Sequence, residues 1–258
     1  MIIKYKNTSI FCTDSGQGPP LILLHGFLEN AAIWSPFITE LSKNYRVICI
    51  DLLGHGQSGC IGYIHTMEMM AEAVRAVIEF LNLKKCSFVG HSMGGYVSLA
   101  FLEYFPDQVK SLLLVNSTSL EDNDERIQNR NRAIAAVKKD HKTFIRIAIS
   151  NLFNPEHKTT FTRAIENITQ EALKTPVQGI VAALEGMKLR KNRTQVIRQF
   201  EGKKVIFISK KDPVLNYDSL LNEAKIAQLK IVEFPDGHMS FIENEALFFQ
   251  NLMHFIEY

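Results

Sequence analysis

One short stretch, Ser87–Gly95, constrains the fold of this chain more than any other. An apolar pair runs into Gly-His-Ser-Met-Gly and a new apolar pattern follows, which indicates a strand, a very tight turn and a helix. A serine at the apex of such a turn usually has positive φ, so its neighbours two positions away must lack bulk. Gly90-x-Ser92-x-Gly94 meets this requirement and predicts a nucleophile elbow, with the Ser92 hydroxyl exposed at a helix N-terminus.

The same spacing also occurs in ordinary glycine turns, so the motif alone does not assign a function. Its context favours a catalytic serine, because an apolar strand pattern precedes it and a helical pattern follows. Further support has to come from partner residues elsewhere in the chain.

Strand and helix patterns alternate on both sides of this turn. Continuous apolar runs are typical of strands buried on both faces, and apolar residues three or four positions apart are typical of helices. A hairpin is predicted over residues 2–14, further strands at 21–24, 46–50, 109–115, 204–209 and 231–234, and helices at 33–41, 67–81, 93–104, 217–229 and 241–256. This alternation predicts an α/β fold with a mostly parallel sheet and right-handed crossovers.

Strand patterns disappear between about residues 117 and 198. Four helical patterns take their place, at 127–137, 143–152, 161–168 and 175–187. The segment from Glu121 to Arg198 holds 15 Lys and Arg against 9 Asp and Glu, a formal charge of about +6. We expect residues 118–198 to form a helical lid on a core made of 1–117 and 199–258. We interpret the positive charge as a solvated basic face, with a preference for acidic substrates as the alternative.

Chemically useful residues follow five of the predicted strands. In a parallel sheet, the carboxyl ends of the strands meet at one edge, where ligands and catalytic groups gather. The residues at these ends are His25-Gly26-Phe27, Asp51, Ser92, Asp212 and His238.

The order Ser92, Asp212, His238 predicts a catalytic triad. His238 would accept the Ser92 proton as general base, and Asp212 would bond the other imidazole nitrogen. Asp218, inside the following helix, and Asp236, two residues before the histidine, are the weaker candidates for that orienting role. The backbone N–H groups of Phe27 and Met93 would form the oxyanion hole.

The loop Asp51-Leu-Leu-Gly-His-Gly-Gln-Ser58 invites a second interpretation, as a phosphate-binding loop. It lacks the Lys-Ser/Thr ending of a P-loop and the spacing of a dinucleotide loop, so we predict a structural turn capped by Asp51. The spacing of His25, His55, His91 and His238 does not identify metal ligands.

Composition and charge exclude several classes of protein. The chain has 258 residues, 46% hydrophobic and 22% charged, which is ordinary for a soluble globular domain. A net charge of +2 argues against dedicated nucleic-acid binding, and no apolar run approaches the roughly 18 residues of a membrane span. The first six residues are too polar for a signal peptide, so a cytoplasmic location is predicted.

The four cysteines, Cys12, Cys49, Cys60 and Cys86, are scattered and form no C-x-x-C motif. Reduced core cysteines are the usual occupants of such apolar strand patterns. Neither a disulfide scaffold nor a zinc site is predicted, which fits a reducing compartment.

The five strand-end motifs together resemble the α/β-hydrolase family. The resemblance covers about 1–117 and 200–258, and it implies an eight-stranded sheet flanked by helices with a lid inserted after the sixth strand. A serine nucleophile differs from the aspartate of epoxide hydrolases and haloalkane dehalogenases, and the His-Gly-Gly-Pro-Gly of proline iminopeptidases is absent. Menaquinone-pathway synthases carry Tyr-Ser-Leu-Gly-Gly-Arg, where this chain has His91 and Tyr96 in place of the tyrosine and arginine.

The sequence thus predicts a carboxylesterase-like serine hydrolase that cleaves esters of small or medium acyl compounds. An acyl-enzyme on Ser92 would be hydrolysed by water that His238 activates, with no metal and no organic cofactor. The alternatives are a lyase or a carbon–carbon hydrolase on the same triad, and a ligand receptor with slow turnover. The oligomeric state is left open.

Overall fold

An eight-stranded sheet forms the centre of the computed structural model, which describes residues 1–257. The strands are β1 (Ile2–Tyr5), β2 (Thr8–Ser15), β3 (Pro20–Leu24), β4 (Arg46–Ile50), β5 (Cys86–His91), β6 (Val109–Val115), β7 (Lys203–Ser209) and β8 (Lys230–Phe234). Their order in the sheet is β1-β2-β4-β3-β5-β6-β7-β8. The two pairings that involve β2 are antiparallel and all the others are parallel.

The central strands are buried on both faces, as their continuous apolar runs predict. Within β3, Ile22 and Leu24 pack into one apolar layer, and Leu21 and Leu23 pack into the other. Side chains of a strand point alternately to opposite faces, so each strand contributes to both layers of the core. The sheet thereby holds the ends of β3, β5, β6 and β7 in fixed positions beside one another.

Ten α-helices and two short 3-10 helices flank the sheet or connect its strands within the described residues. The α-helices are α1 (Ser35–Leu41), α2 (Met67–Phe80), α3 (Met93–Tyr104), α4 (Asp124–Ser150), α5 (Thr162–Ala172), α6 (Val177–Lys188), α7 (Thr194–Gln199), α8 (Tyr217–Ala227), α9 (Ser240–Glu243) and α10 (Glu245–Glu257). None of these helices is both long enough and apolar enough to span a bilayer.

The helices α4 to α7 lie between β6 and β7, where strand patterns are missing from the sequence. The two helices expected at 127–137 and 143–152 run on as α4, with a kink at Asp140, whose φ and ψ are −156° and 86°. Asp140 caps the second half, because its Oδ1 accepts a hydrogen bond from Thr143 N, 3.1 Å away. The six-residue α7 was not predicted, since one and a half turns carry too little periodicity.

The C-terminal helix expected over 241–256 is interrupted. Asn244 has non-helical φ and ψ values of −139° and 47°, which separate the short α9 from α10. The break lets α9 and the loop before it approach the carboxyl edge of the sheet, while α10 packs against the core.

Candidate active site

Ser92 occupies the sharp turn between β5 and α3. Its φ of 50° and ψ of −113° lie outside the regions that non-glycine residues usually adopt, so the turn is strained. Two hydrogen bonds hold it in place: Ser92 N donates to Val115 O at 2.9 Å, and Ser117 Oγ donates to Ser92 O at 2.8 Å. Both partners belong to β6 or its end, so the neighbouring strand supports the strained turn.

The two glycines of the motif are required by close backbone contacts. A Cβ on Gly90 would lie 2.5 Å from Gly94 O, and a Cβ on Gly94 would lie 2.5 Å from Leu24 O. Any larger residue would push α3 away from β5 or β3. The need for glycine at both positions therefore arises from specific backbone contacts in the fold.

Asp212 and His238 are brought together from the ends of β7 and β8. Nδ1 of His238 lies 2.7 Å from Oδ2 of the fully buried Asp212 carboxylate. The other oxygen of Asp212 accepts hydrogen bonds from Val214 N at 2.8 Å and Leu215 N at 3.0 Å. Burial opposes ionisation of Asp212, but His238 and these donors hold its pKa below the ordinary value.

The two weaker candidates for the orienting carboxylate have other surroundings. Asp236 Oδ1 accepts a hydrogen bond from Asn154 Nδ2 at 2.9 Å and lies 2.6 Å from Nδ1 of His157. Asp218 lies in the first turn of α8. Of the three carboxylates proposed from the sequence, Asp212 is the one bonded to the His238 ring.

Asn116 is a residue of this network that the sequence analysis did not single out. It follows β6 with a φ of 44°, a left-handed conformation that asparagine tolerates better than most residues. Its Nδ2 donates to Ser209 Oγ at 2.9 Å and to Asp212 Oδ2 at 3.0 Å, and its Oδ1 accepts from Ser240 Oγ at 2.6 Å. Asn116 therefore ties the ends of β6 and β7 to α9 and helps to fix Asp212.

Ser92 and His238 line the same small cavity, of about 90 Å³. Phe27, Glu29, Arg126 and Arg130 also line it. A larger cleft of about 710 Å³ shares Phe27 and both arginines with this cavity and adds residues of α4 and α6. The cleft and the cavity around the serine therefore adjoin each other beneath the inserted helices.

The comparison with known families decides the classification of this chain. A family model described as the alpha/beta hydrolase fold matches residues 19–245. The chain belongs to the α/β-hydrolase family. The fold and family expected from the five motifs are therefore confirmed.

Relatives of this α/β-hydrolase include proteins named as hydrolases. It is 34% identical over 111 residues to a pimeloyl-[acyl-carrier protein] methyl ester esterase of Aliivibrio salmonicida, covering 43% of this chain and 41% of the relative. It is 33% identical over 111 residues to an (E)-2-((N-methylformamido)methylene)succinate hydrolase of Acinetobacter baylyi, covering 43% and 42%. The matched part thus spans about two fifths of the length of these relatives.

Solved structures resemble this α/β-hydrolase over nearly its whole length. A thermophilic esterase from Thermogutta terrifontis has a TM-score of 0.90 and 28% identity, covering 96% of this chain and 93% of that one. An enol-lactonase from Burkholderia xenovorans has a TM-score of 0.92 at 18% identity, with full coverage of both chains. The second likeness supports the fold alone.

Behind the candidate oxyanion loop, this α/β-hydrolase holds a buried carboxylate that the sequence analysis also missed. Glu29 Oε2 accepts a hydrogen bond from Gly26 N at 2.6 Å and lies 3.0 Å from Nδ1 of His91. Nε2 of His91 lies 3.1 Å from the carbonyl oxygen of His238. Burial opposes ionisation of Glu29, but His91 and the Gly26 N–H lower its pKa below the ordinary value. His91 and Glu29 therefore link the loop before Phe27 to the loop that carries His238.

The Asp51 loop has the structural role predicted for it. Asp51 Oδ1 accepts a hydrogen bond from Ala31 N at 2.7 Å, and its Oδ2 accepts one from Gln57 N at 2.8 Å. Ser58 Oγ donates to the backbone oxygen of Asp51 at 2.6 Å. The contacts with Gln57 and Ser58 are local to the turn, and the contact with Ala31 ties the turn to the segment that follows β3. Over residues 1–257, no group of three or more His, Cys, Asp or Glu side chains is arranged to hold a metal ion.

Glu243 of α9 organises the loop that carries His238. Its Oε1 accepts a hydrogen bond from Asn154 N at 2.7 Å, and its Oε2 accepts one from Met239 N at 3.2 Å. Burial raises the pKa of Glu243, and these N–H donors together with Gly237 N offset part of the increase. The loop is also tied to the inserted helices, because His238 N donates to Leu152 O at 2.8 Å.

We expect Glu243→Gln to weaken this loop. A glutamine keeps the shape, but its amide nitrogen cannot accept from a backbone N–H, so one buried donor is left unpaired at a cost of about 1 to 3 kcal/mol. The expected result is a Tm lower by several degrees, together with a fall in kcat, measured by calorimetry and ester turnover. The exposed Glu245→Gln is the matched control. An unchanged Tm and kcat in Glu243→Gln would show that the loop does not depend on this carboxylate.

Proposed function

We propose that this α/β-hydrolase is a serine hydrolase that cleaves carboxylic esters of small or medium acyl compounds. One observation carries the proposal. Ser92, in its strained turn, shares a cavity with His238, and Nδ1 of His238 is hydrogen-bonded to the buried carboxylate of Asp212. Serine, imidazole and carboxylate in this arrangement form the constellation used for acyl transfer.

In the proposed acylation step, Ser92 Oγ attacks the ester carbonyl carbon and His238 Nε2 takes its proton. Asp212 keeps the proton of Nδ1 in place and stabilises the imidazolium that forms. The negative charge on the carbonyl oxygen is accepted by the N–H groups of Phe27 and Met93, the latter at the first position of α3. The C–O bond then breaks, and the alcohol leaves with the proton from His238.

Deacylation repeats these steps with water as the nucleophile. His238 takes a proton from water as it attacks the acyl carbon, and the proton returns to Ser92 Oγ when the acid leaves. The names of the relatives agree with this chemistry, since one is a methyl ester esterase, one is a hydrolase and the Thermogutta structure is an esterase.

Ester turnover under steady-state conditions tests the proposal. With p-nitrophenyl acetate, butyrate, hexanoate and octanoate we expect an initial burst followed by sustained release of p-nitrophenol. A single stoichiometric burst without further release would instead identify a receptor that becomes acylated once. Activity on ketone substrates with none on any ester would favour carbon–carbon hydrolysis.

We further propose that the inserted helices α4 to α7 act as a lid that selects the acyl chain. Most of their apolar side chains pack into the core, as Ile134, Val137 and Ile180 do. Phe144 and Leu184 contact the core and also line the outer cleft. Two further aromatic side chains of the inserted segment, Phe153 and Phe161, pack against each other, with ring centroids 5.9 Å apart and Phe153 fully buried.

We expect Phe144→Ala to change the acyl-chain preference. A wall of the cleft discriminates by about 1 to 3 kcal/mol per methylene, so the ratio of kcat/KM for octanoate and butyrate esters should shift by tens of fold. Phe153→Leu is the matched control, since it should lower the free energy of unfolding by about 1 to 3 kcal/mol without changing the profile. If Phe144→Ala kept the wild-type profile, the lid proposal would lose its support.

A further inference from the structure

Three arginines surround one buried aspartate beside the candidate active site. The carboxylate of Asp122, which is fully buried, accepts hydrogen bonds from Arg126, Arg130 and Arg190. Three guanidinium groups around one carboxylate leave an excess of two positive charges. The general surplus of positive charge expected over residues 121–198 is therefore partly concentrated at this point.

Arg126 and Arg130 are held rigidly and still have donors to spare. They lie four residues apart on α4 and so share a face of the helix. Arg126 donates through Nε and Nη1, to Asp122 and to Val214 O, and Arg130 donates through Nε and Nη2 to Asp122. Nη2 of Arg126 and Nη1 of Arg130 are thus left to bind another acceptor.

Both arginines line the small cavity that contains Ser92 and His238, and both also line the outer cleft. Their side chains are only 29% and 14% exposed, unlike a solvated basic face. Because the cavity is only about 90 Å³, a molecule that fills it contacts the serine and the arginines together.

Three carboxylates line the small cavity or the outer cleft: Glu29, Glu125 and Asp212. Within residues 1–257, none of the three forms an ion pair with either arginine, and both guanidinium groups pair with Asp122 instead.

We propose that Arg126 and Arg130 form a carboxylate-binding subsite, and that the substrate is an ester that also carries a free carboxylate. This inference rests on the proposed ester hydrolysis and defines its substrate class. The planar fork of arginine matches the two oxygens of a carboxylate. Because Asp122 fixes both guanidinium groups in advance, little side-chain entropy is lost when the anion binds.

Matched pairs of esters test the subsite. Monoethyl adipate is compared with ethyl hexanoate to place the charge on the acyl side. The acetate ester of 6-hydroxyhexanoic acid is compared with hexyl acetate to place it on the alcohol side. Because hydrogen bonds to charged groups are strong, we expect kcat/KM of the anionic ester to exceed that of its neutral partner by about tenfold or more in at least one pair. The pair that shows this difference identifies whether the acyl or the alcohol side of the ester faces the arginines.

Single substitutions then locate the effect. Arg126→Gln and Arg130→Gln are each expected to lower the ratio of anionic to neutral kcat/KM by about tenfold. The control is Arg132→Gln, which removes the same charge from an exposed position of the same helix and should leave the ratio unchanged. Equal kcat/KM values for both members of both pairs, or a preference that survives both substitutions, would overturn the subsite while the proposed ester hydrolysis stands.

A binding measurement separates the two proposals. Calorimetry with Ser92→Ala protein measures the affinity for monoethyl adipate without turnover, and Arg126→Gln in that background should weaken it about tenfold. If the Ser92→Ala protein binds the ester through its carboxylate but the wild-type protein turns over no ester, the subsite is supported and the proposed hydrolase activity is rejected. The absence of binding of either anionic ester to the Ser92→Ala protein would overturn the subsite.

Discussion

Ser92→Ala is expected to lower kcat for ester hydrolysis by about 10⁴ to 10⁶ while the protein remains folded. The side chain supplies the nucleophile, and its loss leaves only substrate binding and the oxyanion donors to assist attack by water. Alanine carries a Cβ like serine and removes only the hydroxyl, so it places no new bulk in the turn. Steady-state kinetics with p-nitrophenyl butyrate and a thermal melt would measure both quantities.

The matched control is Ser35→Ala, because Ser35 is an exposed serine at the start of α1. Its variant should keep wild-type kcat. A Ser92→Ala enzyme with a tenth of wild-type turnover would be incompatible with Ser92 as the nucleophile.

Asp212→Asn has the second largest expected effect, a fall in kcat of roughly 10⁴. Asparagine preserves the shape, but its amide group can donate to Nδ1 of His238 and thereby favour the tautomer that cannot accept the serine proton at Nε2. The same substitution at Asp236 or Asp218 should cost far less, since Asp236 bonds Asn154 and lies beside His157 and Asp218 lies in α8. If Asp236→Asn lowered kcat by roughly 10⁴ and Asp212→Asn did not, the carboxylate that orients His238 would be Asp236, after the end of β8.

The lowered pKa of Asp212 adds a dependence of stability on pH to this prediction. The pKa of this carboxyl is lower in the folded protein than in the unfolded chain, where it is about 4. The ionised carboxyl therefore stabilises the fold at pH values above about 4, and this contribution is lost as the pH falls through the pKa of the folded state. In Asp212→Asn this contribution is absent at every pH. The difference in the free energy of unfolding between wild type and variant should therefore shrink as the pH is lowered from 6 to 3.

Most of the sheet could be predicted because its strands carry continuous apolar runs with turn residues at their ends. The elements that were missed or merged depend on weaker signals. The kink at Asp140 depends on one side-chain cap, and α7 is only six residues long. The break at Asn244 is imposed by the packing of the loop around His238, since Glu243 must reach Asn154 and Met239.

The residues proposed for chemistry could be found from the sequence because each follows a strand at the same edge of the sheet. Their supports could not be found in this way. Glu29 and His91 are 62 positions apart, Asn116 and Asp212 are 96 apart, and Asn154 and Glu243 are 89 apart. No periodic pattern connects such pairs, and only the folded chain brings them into contact. The surplus of arginine and lysine in residues 121–198 was visible as a count, but its concentration around Asp122 was not.

Covalent labelling shows whether Ser92 is the one nucleophile of this chain. The folded protein is treated with a fluorophosphonate, digested, and analysed by mass spectrometry to locate the adduct. We expect one adduct per chain, on the peptide that contains Ser92, and none in the Ser92→Ala protein. An adduct on another residue, or undiminished labelling of Ser92→Ala, would show that Ser92 is not the nucleophile.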